Sequence, residues 1–174
     1  MDHLQPLLAD VLTRAIDEIR QRSVSLYTFA LYHDHESATV SVCADTEENS
    51  DRVVNDINRY NMKYFVQSVA QGDMDQALLW QANVGRSLSL GDFAMANLAR
   101  TKLPAAPIPK DFYLTLVRSL MGRQEEVVAL APSPTRLLLC CSGSDEEVKY
   151  VWSAGGGDAR PNPALNPTGL RPAG

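Results

Sequence analysis

Apolar residues recur at three- and four-residue steps from Leu4 through Leu7, Leu8, Val11, Leu12, Ala15, Ile16 and Ile19. Asp10, Arg14, Asp17, Glu18 and Gln21 fall between them, so the period predicts an amphipathic helix with one buried stripe. The period then shortens to two. Leu26–Tyr32 is apolar or aromatic on both alternating faces, which predicts a strand in the middle of a sheet, covered above and below. Thr39–Ala44 places Val40, Val42 and Ala44 on one face and Thr39, Ser41 and Cys43 on the other, the pattern of a half-exposed strand. His33–Ser37 between them is short and polar, so an antiparallel hairpin is expected, without a tight two-residue turn because no glycine is present.

Thr46 is a good helix N-cap, and Glu47 and Glu48 suit the positive end of a helix dipole. A helix is predicted from there through Val53, Val54, Ile57, Tyr60, Tyr64, Phe65 and Val69 to Gln71–Gly72. Met74–Trp80 reads as a short helix or an extended piece, and the propensity of Phe93–Ala99 favours helix. Leu103–Pro109 is a stiff connector, and Pro109–Leu120 restarts a helix whose core face is either Phe112 and Leu116 or Tyr113 and Val117, together with Leu120. Glu125–Ala131 adds a further turn or two of helix. Arg136–Ser142 reads as a buried strand, Gly143–Glu147 as a turn, and Val148–Trp152 as a returning strand. These elements predict an α+β domain over residues 1–154, a mostly antiparallel sheet of about four strands with helices packed against it. Residues 155–174 hold half of the ten glycines and four of the ten prolines, and are expected to form an extended or disordered tail.

Composition changes this picture little. The chain of 174 residues is 45% hydrophobic and 21% charged, as a domain with a real core requires. The net charge is −5, and the last stretch from Ala159 carries two arginines and no acid, so the rest is more acidic still. That balance argues against nucleic acid and favours a basic protein partner. Cys43, Cys140 and Cys141 have no metal or redox spacing, and neighbouring strand residues point to opposite faces, which disfavours a bridge between the last two. An odd count fits a reducing cytoplasm. MDHLQPLLAD has no basic region of a signal peptide, and no apolar run approaches the ~20 residues that span a bilayer, so a soluble cytoplasmic protein without membrane contact is expected.

The chain has no Gly-rich phosphate loop, dinucleotide fingerprint, zinc-helix motif, Gly-x-Ser-x-Gly elbow or Cys-x-x-Cys, and no cofactor is predicted. His33 and His35, two apart, share a face of a strand end, and with Asp34 or Glu36 they have the donor types of a metal site, but polar hairpin tips commonly look like this, so a solvated turn and no metal are expected. Asp45, Glu47 and Glu48 also have the donor types of a cation site, but helix capping explains the same residues without further assumptions and is expected. The cysteines are expected as small buried residues. Trp80 and Trp152 are core or groove residues, and an exposed one would mark a binding surface. The acidic turns Asp34–Glu36 and Asp145–Glu147 are placed on one rim of the sheet, since each follows a strand.

The run FALYHDHESATVSVCADTEE resembles an uncharacterised bacterial family of domains of unknown function, with a Phe-Ala-Leu-Tyr-type strand, a second strand and an Asn-Thr-Glu-Glu-like helix start. Asp45 stands here in place of the Asn. The resemblance extends more loosely to Leu79-Trp80 and to Leu138–Glu147, and it implies no catalytic residues. The tail SAGGGDARPNPALNPTGLRPAG is similar to read-through of an integron gene-cassette recombination site, which implies a mobile accessory bacterial gene.

Two functions follow as expectations. One is a small accessory binding protein, immunity-like, whose acidic face meets a basic protein partner. The other is a small-ligand binder or enzyme with a cleft beside the central hairpin, where Tyr32, His33, Asp34, His35, Glu36 and Trp80 are the candidate binding residues. Homo-oligomerisation through the second strand or through residues 136–141 is compatible with either.

Overall fold

The computed structural model describes residues 4–105, 107–144 and 148–155. His3, the acidic turn Asp145–Glu147 and the tail after Gly155 therefore lie outside the described residues. The chain order is α1 (Leu4–Arg22), β1 (Thr28–Asp34), β2 (Thr39–Asp45), α2 (Glu47–Ala70), α3 (Met74–Leu79), β3 (Met95–Lys102), α4 (Phe112–Met121), α5 (Gln124–Val128), β4 (Leu138–Ser142) and β5 (Val148–Ser153).

The architecture is α+β, but the sheet is not the mostly antiparallel four-stranded one that the pattern predicts. It has five strands in the order β3-β2-β1-β4-β5. β1 pairs antiparallel with β2 and parallel with β4, from Thr28 opposite Leu138 to Leu31 opposite Cys141. The parallel pair sits in the centre because these are the two runs apolar on both faces, and only central strands are covered on both sides. Thr28–Tyr32 thus does lie mid-sheet, whereas Leu26 and Tyr27 precede the strand.

The fifth strand is β3, where helical propensity misleads. Its residues pair with β2, Val42 opposite Ala99 and Ala44 opposite Met95, so three residues of β3 oppose one of β2. Asn97 absorbs the excess at φ 53°, a left-handed conformation that Asn tolerates and that bulges use. Pairing along a sheet edge outweighs the few tenths of a kcal/mol per residue by which Ala, Met and Leu prefer helix. β2 also departs from expectation, since all seven of its residues are buried and none of its faces is wet.

One face of the sheet carries the main core. α1 contributes Leu8, Val11, Leu12, Ala15, Ile16 and Ile19, and α4 contributes Phe112, Leu116 and Leu120. They close over Phe29, Leu31, Val40, Val42, Leu139 and Cys141. The other face is lined by small side chains, Ala30, Cys43 and Cys140, and a long irregular segment lies on it through Leu88, Leu90 and Phe93. Arg86 pins that segment. Its guanidinium donates to the carbonyl oxygens of Tyr27 and Arg136, each at 2.6 Å, and to Thr28 Oγ1 at 3.1 Å, and lies 3.5 Å over the Tyr27 ring. Further along, Ser87 N donates to Ser50 Oγ at 2.9 Å and Ala94 N to the buried Asp45 at 3.0 Å.

β2 is paired on both sides, as is β4, so neither has a free edge through which a second copy could extend the sheet. The edges belong to β3 and β5. Among the described residues no helix is long and apolar enough to cross a membrane.

Candidate functional site

The hairpin tip is more ordered than a solvated turn. β1 runs on to Asp34, so His33 is a strand residue, 1% exposed, and the turn itself is His35–Ala38. His33 meets the Phe112 ring edge-on at 4.8 Å and the His35 ring at 4.2 Å. The Tyr113 hydroxyl lies between the two histidines, 3.4 Å from His33 Nδ1 and 3.1 Å from His35 Nε2. The two-residue spacing does set both rings on one face, as a strand end dictates, and the start of α4 covers them.

Asp34 turns to the opposite side. Its carboxylate accepts from Ser37 N at 3.0 Å, from the Ser37 hydroxyl, and from Arg100 at 3.0 Å. The hydrogen bonds from Ser37 hold its pKa below the ordinary carboxylate value, with Arg100 adding to the effect. Tyr32 is half-buried on the strand face away from His33, and Glu36 is exposed. Five of the six candidate residues are therefore neighbours by hairpin geometry. Trp80 is not one of them: it caps the C-terminus of α3, stacks on Tyr64 at 4.7 Å and meets Tyr60 at 6.1 Å.

Nor do Asp45, Glu47 and Glu48 converge. Asp45 accepts from the Asn49 side chain at 2.8 Å as well as from Ala94, while Glu47 forms an ion pair with Arg136 at 2.5 Å. Thr46 caps α2, its side chain accepting from Asn49 N. Among the described residues no group of three or more His, Cys, Asp or Glu is disposed to hold a metal ion. All three thiols are buried, and burial pushes Cys43 and Cys141 up and Cys140 up to about 12, the reverse of what a nucleophilic thiolate needs.

The feature that pattern reading passes over is the pair α2–α3. α2 is 24 residues long, ~36 Å, yet its buried side chains are Ser50, Val53 and Val54 near the start and Ser68 near the end. Its second half packs on α3, not on the sheet. Ten of the fourteen large apolar side chains exposed among the described residues fall between Tyr60 and Val84, so the exposure is concentrated in this arm. Met62, Phe65, Val66 and Val69 repeat at three- and four-residue steps, an apolar stripe with 37–66% of each residue open. α3 adds Met74, Leu78 and Leu79, at 58–69%. Between the helices and the strand-like return lies a shallow cleft of about 430 Å³, lined by Asn58, Met62, Phe65, Trp80, Gln81 and Ala82. Asn58 exchanges two hydrogen bonds with the Asn83 backbone, 2.7 and 3.0 Å, and Asn61 donates to the Gln81 carbonyl, which hold that return along α2. The sequence signal was present in the same stripe, but a buried helix face gives an identical period.

No protein-family model, no curated protein and no solved structure matches this chain.

Proposed function

We propose that this protein is a binding module that works by assembling with protein, and that its working surface is the α2–α3 arm. One observation carries the reading: an apolar stripe with an exposed aromatic rim on a helical arm. Apolar patches on monomers rarely exceed about 300–600 Å², and larger ones mark interaction surfaces. Met, Tyr, Phe and Trp are the residue types enriched at such surfaces. An acidic face for a basic partner is the less supported version of the same idea. Asp10, Asp17, Glu18, Asp34, Glu47, Asp56 and Glu126 are each already paired with an arginine of the chain. The similarity of the tail to cassette read-through supports an accessory role, with a bacterial, mobile-gene origin.

The cleft-beside-the-hairpin reading has less to support it. The His33–Tyr113–His35 chain is a packed contact, and the cleft described above is formed by α2 and the return from α3 instead. The test is a photo-crosslinking residue at Leu78 of the full chain, expressed in bacteria, against the same residue at Gln21 on the exposed face of α1. A protein adduct at 78 and none at 21 is the expected result. No adduct at 78 overturns the proposal.

A further inference from the structure

We infer that residues 46–94 form one body that lifts off the second face of the sheet as a lid, with Arg86 as its latch. This motion belongs to the inner side of the arm and requires no partner on its outer side.

Chain connectivity makes the hinge. β2 ends at Asp45 and β3 begins at Met95, and the two strands are antiparallel neighbours with Ala44 opposite Met95. A hairpin loop of about 2–5 residues suffices to join such strands. Here α2, α3 and the irregular segment are inserted at that point instead, so both ends of the insertion leave the sheet side by side. A body hung from two adjacent strand ends rotates about them without parting β2 from β3.

The ties of this body to the sheet are few. Beyond the first turn of α2 and as far as Ala94, no backbone-to-backbone hydrogen bond joins it to the rest of the chain, among the described residues. Side chains hold it instead. At the hinge Asp45 accepts from Asn49 and Ala94, and Arg136 pairs with Glu47. Away from the ends the polar tie is Arg86, reaching the starts of β1 and β4. The apolar grip is Leu88, Leu90 and Phe93, and among the described residues none of the insertion enters the main core.

Within the body the contacts are self-contained. Trp80 stacks on Tyr64, Asn58 exchanges two hydrogen bonds with Asn83, and Asn61 donates to the Gln81 carbonyl. Ser87 N donates to Ser50 Oγ, and the Asn49 side chain donates to the Asp92 carbonyl at 2.8 Å. These bonds tie the segment to α2 from Gln81 to Asp92, and none of them breaks when the body leaves the sheet. The closed position also carries a cost. Asp45 is fully buried, yet Asn49 and Ala94 both donate to Oδ1, and Oδ2 has no partner among the described residues. A buried oxygen without a donor opposes closure, and water satisfies it once the lid moves away. Few apolar contacts and polar ties that water can replace are the marks of a region that opens below the global unfolding free energy.

The closed lid covers Cys43 and Cys140, whereas Cys141 lies in the main core on the other face. The experiment is native-state thiol exchange of the full chain over a series of sub-denaturing urea concentrations, with each labelled cysteine resolved by peptide mass. The opening constants of Cys43 and Cys140 should agree within about threefold and exceed that of Cys141 by about tenfold or more. Both should share one urea slope, above zero and below the slope of Cys141, because the lid exposes only part of the surface that global unfolding exposes. Arg86→Ala and Phe93→Ala should each raise the two constants by a common factor, about tenfold or more, while Leu78→Ala, exposed on α3, should leave both as they are. Cys43 and Cys140 reacting no faster than Cys141 overturns the inference. So does reaction without urea dependence, which marks small local fluctuations, and so do unequal slopes, which deny a single body. Those slopes come from the wild-type chain and decide the matter whether or not the variants fold.

Discussion

Arg86 offers the sharpest test of how the second face of the sheet is held. Its side chain reaches two carbonyl oxygens on different strand leads, Tyr27 and Arg136, and one hydroxyl, and its plane lies on the Tyr27 ring. Burial lowers its pKa from the usual guanidinium value, yet the group stays charged at neutral pH. Hydrogen bonds from a charged donor contribute about 1.5–3 kcal/mol, and a partly desolvated cation–π contact about 1 kcal/mol. Because the group is half-exposed, water replaces part of what truncation removes, so Arg86→Ala is expected to cost about 2–4 kcal/mol in urea unfolding. For a chain of this size that is a fall in Tm of roughly 4–16 °C. Arg86→Lys should recover less than half, since a point charge cannot reach both carbonyls at once. The loss should also be local. The segment through Leu88, Leu90 and Phe93 covers Cys43 and Cys140, while Cys141 lies in the core on the other face. Thiol labelling under native conditions should therefore speed up at Cys43 and Cys140 in Arg86→Ala and stay unchanged at Cys141. A variant within about 0.5 kcal/mol of wild type, or one whose three thiols react at equal rates, would refute the clamp.

Three further outcomes are expected. Because its folded pKa lies below 3.8, Asp34 contributes stability at higher pH that is lost as pH falls through the folded value; the stability gap between wild type and Asp34→Asn should be flat above ~5 and close in acid, and a pH-independent gap would refute the assignment. Thr46→Ala should lower stability by about 1 kcal/mol through loss of the cap on Asn49 N, seen as a shift in urea midpoint, with Thr46→Ser close to wild type. Ile16→Ala, at a site 1% exposed between α1 and the sheet, should cost about 2–5 kcal/mol, whereas Leu78→Ala on the open arm should change monomer stability by under 0.5 kcal/mol.

The elements whose signal is local are legible in the order of residues alone. The 3.6 period of α1, the cap at Thr46, the two-faced apolar run of β1 and its polar turn all read directly, because each depends on residues within a few positions of one another. Proximity of His33, His35 and Asp34 was legible for the same reason. The rest depends on contacts between segments far apart in the chain. Whether β4 lies beside β1 in parallel depends on how the chain between them folds, and no short spacing encodes it. Whether Met95–Lys102 is helix or strand depended on the open edge of β2, which outweighs its own propensity. The same holds for the arm: a stripe such as Met62–Val69 has one period whether it is buried or bare, and only the packing of α2 against α3, away from the sheet, left it uncovered.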